Sequence, residues 1–193
     1  KILLAVMNSS EVPMMNFSLT VNGPEVLNKE VKSHPEQLVC IPPGNAILQL
    51  TTFTFPNQMR SFPQFVFTAD VQFNGKKVSL QLPASIFTFI IPEETTTAEF
   101  GKVWKSGGTE IVYTMPRIEG ATIDSICQVL NTVVGLRTVQ RIRMEEILFG
   151  TLWSTPFKIL FHLKFGAQKV EIKVLTKAQP LTAALVNELK KVF

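Results

Sequence analysis

The sequence predicts a β-sandwich of immunoglobulin-like type over residues 1–92 and an α+β platform over residues 93–193. Two observations carry this expectation. The first 92 residues hold short apolar or alternating runs, set apart by Asn-Gly, Pro-Pro-Gly and Pro-Asn turns, with no convincing helical period. The remaining residues run helix, strand, helix, four strands, helix. That order rules out a doubly wound parallel sheet, so the second half should be an antiparallel sheet with flanking helices.

The sandwich strands are expected in LLAVMN, MNFSLTVN, QLVCI, AILQLTTFTF, FVFTADVQFN, KVSLQLP and FTFII. In the fifth run, Phe65, Phe67, Ala69, Val71 and Phe73 share one face at period two, and Val66, Thr68, Asp70 and Gln72 share the other. Asn74-Gly75 predicts a tight hairpin, because both central residues of a type I′ turn need positive φ. Turns are also expected at Asn22-Gly23-Pro24, Pro42-Pro43-Gly44 and Pro56-Asn57.

In the second half, Thr96 with Glu99 three residues on is a capping-box pattern that starts a short helix. EIVYTM is a strand. ATIDSICQVLNTVVG places Ile123, Ile126, Cys127, Leu130 and Val134 on one helical face and stops at Gly135. Four strands follow in LRTVQRIRM, EILFGTLW, FKILFHLKF and QKVEIKVLT, the last two joined at Gly166-Ala167. The closing helix has Pro180 near its start, a Leu181, Leu185, Leu189 stripe, and Lys190 and Lys191 at its negative end.

Composition narrows the function classes. Hydrophobic residues make up 46 % of 193, enough for a core, and fifteen Phe against one Tyr point to heavy burial of plain rings. The formal charge of +4 comes from scattered basic residues without a run of five or six, so no nucleic-acid partner is expected. No stretch approaches the length of an apolar membrane span, and KILLAVMN is too short and poorly flanked for a signal peptide. A chain that begins with Lys reads as a piece of a longer protein. Cys40 and Cys127 have neither metal nor disulfide-framework spacing and read as free thiols of a reducing compartment. Two sequons, at Asn8 and Asn16, keep a secreted or cell-surface β-sandwich recognition protein as the alternative.

Catalytic signatures are missing: no nucleophile elbow, zinc-binding HExxH, P-loop or dinucleotide glycine run occurs. His34 reads as a loop residue before Pro35, and His162 as a strand residue sharing a face with Leu160 and Lys164. Glu93-Glu94 and Glu145-Glu146 diverge on a strand and read as turn or cap charges. We therefore expect no enzyme, no cofactor and no metal site. Phe100 and Trp104 stand one helical turn apart. Two readings of Trp104 are open: a core ring, or the base of a small apolar pocket at the rim of a helix-on-sheet layer.

A sandwich of this size joined to such a platform resembles the appendage, or ear, of clathrin-adaptor large chains. The likeness rests on TAEFGKVW at the platform start, on LRTVQRIRMEEILFGTLW, on PFKILFHLKFGAQKVEIKVL and on the final amphipathic helix. In detail it is closest to the epsilon chain of the fourth adaptor complex, with the delta chain of the third complex as nearest competitor. The resemblance implies a non-enzymatic protein-interaction module of vesicle coats. It would be cytoplasmic, peripheral on trans-Golgi or endosomal membranes, held to its parent complex by an N-terminal hinge and touching the membrane only indirectly. It would recruit accessory proteins through short linear motifs, and the fragment would be monomeric. The sequence departs from the alpha-type ear in two respects. The Phe three positions before the Trp is Gly101 here, and the flanking basic positions fall on His162, Glu171 and Leu175. Those departures favour a short apolar or aromatic motif, such as that of the epsin-related protein tepsin, over an acidic one. The implied site is Val103, Trp104 and Leu175 as apolar walls, with His162 and Lys173 on the rim.

Overall fold

The computed structural model describes residues 1–34, 40–56, 62 and 65–193. The expected turn at Pro56-Asn57 and the first three residues of the expected QLVCI strand lie outside them. The chain divides into two compact units, with the break between Ala84 and Ser85.

In the first unit the strands are β1 (Ile2–Met7), β2 (Met14–Met15), β3 (Ser18–Asn22), β4 (Asn28–His34), β5 (Cys40–Ile41), β6 (Ala46–Thr54), β7 (Phe65–Phe73) and β8 (Lys76–Ala84). β1, β6 and β4 form one antiparallel sheet, β3, β7 and β8 a second, and β2 with β5 a short ladder. Apolar side chains from all three sheets meet in the core: Ile47 from β6, Ile41 from β5, and Val71 from β7, with Phe17. Phe53 and Phe67 reach across from opposite sheets, ring centroids 4.7 Å apart. A Cβ at Gly23 would stand 2.7 Å from both of these rings, so only glycine fits there. This is a β-sandwich, and its alternation is the one the sequence predicts: Phe65, Phe67, Ala69 and Val71 are buried. Asn74 and Gly75 both have positive φ, 48° and 73°, closing the β7–β8 hairpin.

One expectation fails in this unit, and one sequon behind the alternative reading is accounted for. β4 went unrecognised because NKEVKSH is too polar to show a strand pattern. Its backbone pairs with β6 from Asn28 to His34, so His34 ends a strand rather than sitting in a loop. Among the described residues β4 pairs along one edge only, and charged side chains on such a strand are the usual protection of a sheet edge. Asn8 is fully buried, and its Nδ2 donates to the carbonyls of Val12 (2.8 Å) and Ile41 (2.9 Å). That sequon is a structural tie, closed to glycosylation.

The second unit opens with a 3₁₀ turn (Ile86–Phe89) and β9 (Ile90–Pro92), followed by α1 (Thr97–Lys105), β10 (Thr109–Pro116), α2 (Ile123–Thr132), β11 (Arg137–Ile142), β12 (Glu145–Leu152), β13 (Lys158–Phe165), β14 (Lys169–Thr176) and α3 (Gln179–Val192). The antiparallel sheet runs β10-β14-β13-β12-β11. β9 pairs with β12 at Gly150–Leu152, just where β11 stops at Phe149, so two short strands share one flank of β12. FTFII, read from sequence as a sandwich strand, is thus a 3₁₀ turn and a platform strand. Residues 85–92 pack with the second unit, ahead of the expected division at Pro92.

The sheet has helices on both faces. α1 seats Phe100 on Phe149 of β12, Leu160 of β13 and Leu175 of β14. On the opposite face, Cys127 of α2 bonds Glu146 of β12, and Thr182 of α3 bonds Thr176 of β14. Each helix is amphipathic as the spacing predicts: Ile123, Ile126, Cys127 and Leu130 are buried in α2, and Leu181, Leu185 and Leu189 in α3. Glu145 and Glu146 diverge as expected on a strand. Glu146, read as a turn or cap charge, is instead 2 % exposed and accepts hydrogen bonds from Cys127 Sγ (2.8 Å), Thr138 Oγ1 and Arg141 Nε (2.6 Å). No helix of the described residues is long and apolar enough to cross a membrane.

Candidate functional site

α1 is held at its start by the capping box the sequence announces. Thr96 Oγ1 accepts from the Glu99 amide at 3.2 Å, and the Glu99 carboxylate accepts from the Thr96 amide at 3.4 Å. The helix ends at Gly107, whose φ of 80° suits glycine after a helix, with its amide on the Trp104 carbonyl. Between these stops, Phe100, Val103 and Trp104 point at the sheet.

Register pairing arranges the sheet face beneath α1 in rows. One row, Phe149, Leu160 and Leu175, is the seat of Phe100. The next runs Gln140, Ile147, His162, Lys173, Val112. The third runs Ile142, Glu145, Lys164, Glu171, Thr114. Trp104 stands where the first row gives way to the second. Its ring stacks on Phe100 (5.5 Å, 27°) and meets His162 edge-on (6.1 Å, 87°).

The environment of Trp104 separates the two readings of that residue. Phe100 is 6 % exposed, whereas Trp104 is only half-buried. Among the described residues no buried side-chain polar atom lacks a partner. The Trp104 indole N–H makes no hydrogen bond to the protein, so it must reach solvent. Trp104 is therefore a rim ring, fixed on one face by Phe100 and on one edge by His162.

Of the other residues singled out in the sequence, His162 and Lys173 are direct cross-strand neighbours in the second row. His162 Nε2 is 2.7 Å from Glu145 Oε2, and Lys164 Nζ is 3.2 Å from Glu145 Oε1. These contacts, His162 first and Lys164 next, hold the Glu145 carboxyl below its usual range. Lys173 pairs with Glu110 at 3.3 Å. Val103 lies away from this group and lines a different hollow, of about 360 Å³, with Phe149, Lys158 and Glu93. Leu175 is 4 % exposed beneath Phe100 and has no free surface to serve as a ligand-facing wall. It was expected on the surface because strand alternation shows which face a residue joins, not whether a helix covers it.

Sequence reasoning missed the apolar residues that remain open on this face. Val112 is 47 % exposed at the end of the His162 row, and Ile142 and Met144 are 60 % and 49 % exposed at the β11–β12 turn. Ile142, Met144, Ile147 and His162, with Arg143 and Glu145, line a hollow of about 420 Å³. The available signal was the pattern RIRMEE, in which the apolar Ile142 and Met144 alternate with charged residues at a turn. Among the described residues no cluster of His, Cys, Asp or Glu has the arrangement of a metal site.

A family model described as "Adaptin AP4 complex epsilon appendage platform" matches residues 92–192, more than half of the 193. A comparison with curated proteins found no match.

Proposed function

From the premise that the chain belongs to the adaptin AP4 complex epsilon appendage platform family, we propose that this adaptor-complex appendage recruits accessory proteins by binding short linear motifs beside Trp104. The observation that carries the proposal is the rim position of that ring. A Trp with one face packed, one edge held by His162 and its N–H open to water is a pre-set anchor for an apolar or aromatic side chain. The floor offered to a ligand is the row Ile147, His162, Lys173, Val112, with Leu175 in the neighbouring row, under Phe100. Val103, on the other flank of α1, faces a separate hollow and is not part of this floor.

The nitrogen groups on this floor are already engaged. His162 and Lys164 share Glu145, and Lys173 meets Glu110. An apolar or aromatic motif, tepsin-like in chemistry, therefore suits the immediate surroundings of Trp104 better than a strongly acidic one. In this reading the parent is the epsilon chain of the fourth adaptor complex. The appendage hangs on an N-terminal hinge at the cytoplasmic face of trans-Golgi or endosomal membranes and binds as a monomer, each motif weakly. Avidity then comes from several motifs acting together.

The test is an affinity capture from cytosol by the wild-type fragment and by Trp104→Ala, with partners identified by mass spectrometry and their motifs titrated as peptides. Specific partners lost on Trp104→Ala, in a variant that keeps its amide spectrum, support the reading. A recovered motif that binds the variant with full affinity places the site elsewhere.

A further inference from the structure

The hollow at the β11–β12 hairpin has features that burial beside Trp104 does not require. Ile142 and Glu145 are register partners, so Arg143 and Met144 form a two-residue turn. Arg143 has a φ of 56°. Positive φ at the first central position of such a turn suits glycine, asparagine or aspartate, as at Asn74, and an arginine there is uncommon. The turn carries two apolar side chains that are about half exposed or more, Ile142 and Met144, over a hollow of about 420 Å³, a size typical of small-ligand pockets. Folding alone favours neither the arginine nor the exposed apolar pair.

Charge defines what fits. Within the lining, Glu145 is already matched by His162 at 2.7 Å and Lys164 at 3.2 Å. Glu171, the next carboxylate along that row, pairs with Lys169 at 2.6 Å. Arg141, two residues before the turn, is taken up by Glu146 and Asp124. Arg143 has no carboxylate within ion-pair distance among the described residues. An apolar hollow is thus edged by a guanidinium with its donors unspent, and the complementary group is a carboxylate.

We propose that this hollow is a second docking pocket on the platform, taking one apolar side chain of a linear peptide that carries a carboxylate beside it, which pairs with Arg143. It rests on the reading of the platform as a peptide-binding surface and adds to it a subsite with its own charge preference. His162 and Ile147 belong both to this lining and to the row beside Trp104, so one extended peptide can occupy both places.

Methyl and amide spectra of the whole chain test this. The probes are an N-acetylated hexapeptide with two central leucines flanked by aspartates, and the same peptide with lysines for the aspartates. The aspartate peptide should shift the Ile142 and Met144 methyls saturably. The lysine peptide should bind about threefold more weakly or worse at low salt, as expected for a partly exposed ion pair. Arg143→Gln should erase that difference, and Met144→Ser should weaken both peptides. Should Arg143→Gln fail to fold, the two-peptide comparison on wild type still decides. Equal binding of both peptides, or unmoved Ile142 and Met144 methyls, overturns the proposal. The Trp104 indole N–H resonance separates it from the broader reading. If only the indole moves, the hairpin pocket is wrong and the Trp104 site stands. If only the methyls move, the reverse holds. If neither moves at millimolar peptide, both fail.

Discussion

Phe100 and Trp104 lie on one face of one helix and do different things. Phe100 fills the Phe149, Leu160, Leu175 seat and is 6 % exposed, so Phe100→Ala should cost about 3–5 kcal/mol. Trp104 keeps part of its ring in water, so its truncation should give the smaller drop in melting temperature. Thermal melts of the two variants decide, and the order reverses if Trp104 is core. A second residue-scale prediction concerns Glu145. Its carboxyl titrates below the ordinary range, chiefly because His162 bonds it and next because Lys164 does. A lowered folded-state pKa gives stabilisation that is fully present above the unfolded value of about 4.5 and lost as pH falls through the folded value. His162→Ala should move that titration upward, read from the Glu145 carboxyl carbon by NMR. An unchanged midpoint would show that Lys164 alone sets it. This pair also marks the limit of legibility in sequence. Adjacent Glu145 and Glu146 were seen to diverge, but nothing in the sequence tells which one a helix covers. Cys127 lies over Glu146, and burial first, then that carboxylate, pushes the thiol up to about 12.

The elements were legible in proportion to how much of their pattern is local. The two capping boxes, at Thr96 with Glu99 and at Thr122 with Ser125, are contacts within four residues, and the first was readable in sequence. β7 and the Asn74-Gly75 turn were readable for the same reason. β4 and the 3₁₀ turn before β9 were not, because their partners lie far along the chain: Asn28 faces Thr54, and Ile90 faces Leu152. Two glycines show the same contrast in energetic terms. A Cβ at Gly101, inside α1, meets nothing within 4 Å. Gly101→Ala should therefore stabilise the helix by up to about 1 kcal/mol through backbone propensity. A Cβ at Gly150 would stand 2.9 Å from Ile90 Cγ2 and 3.0 Å from Leu136 Cδ2. Gly150→Ala should destabilise by about 1–3 kcal/mol, since β9 and β12 must part to admit it. Denaturant melts of both variants check the opposite signs. A stabilised Gly150→Ala would mean that the β9–β12 pairing yields easily.

For the whole chain, the point at issue is where the platform begins. The family match starts at residue 92, and punctuation in the sequence favours Pro92. The contacts favour Ser85. In the second unit, Ile86 and Phe87 are 2 % and 4 % exposed, and Ile90 is 7 % exposed. The 3₁₀ turn packs with α3, the Trp153 amide donates to the Phe89 carbonyl at 2.8 Å, and β9 occupies the flank of β12 that β11 leaves open. Removing residues 85–92 would uncover the ladder groups at Gly150–Leu152 and part of α3. It would also forfeit three buried apolar side chains, each contributing about 1.5–3 kcal/mol. A domain of this size has only about 5–15 kcal/mol to lose. We therefore expect a fragment of residues 85–193 to fold cooperatively and keep the Trp104 indole resonance of the full chain. A fragment of residues 93–193 should be largely unfolded or aggregated through its open strand edge. Circular dichroism melts and amide spectra of the two fragments compare them directly. Equal stability would show that the eight residues are a linker, and that the platform is complete from the capping box of α1 onward.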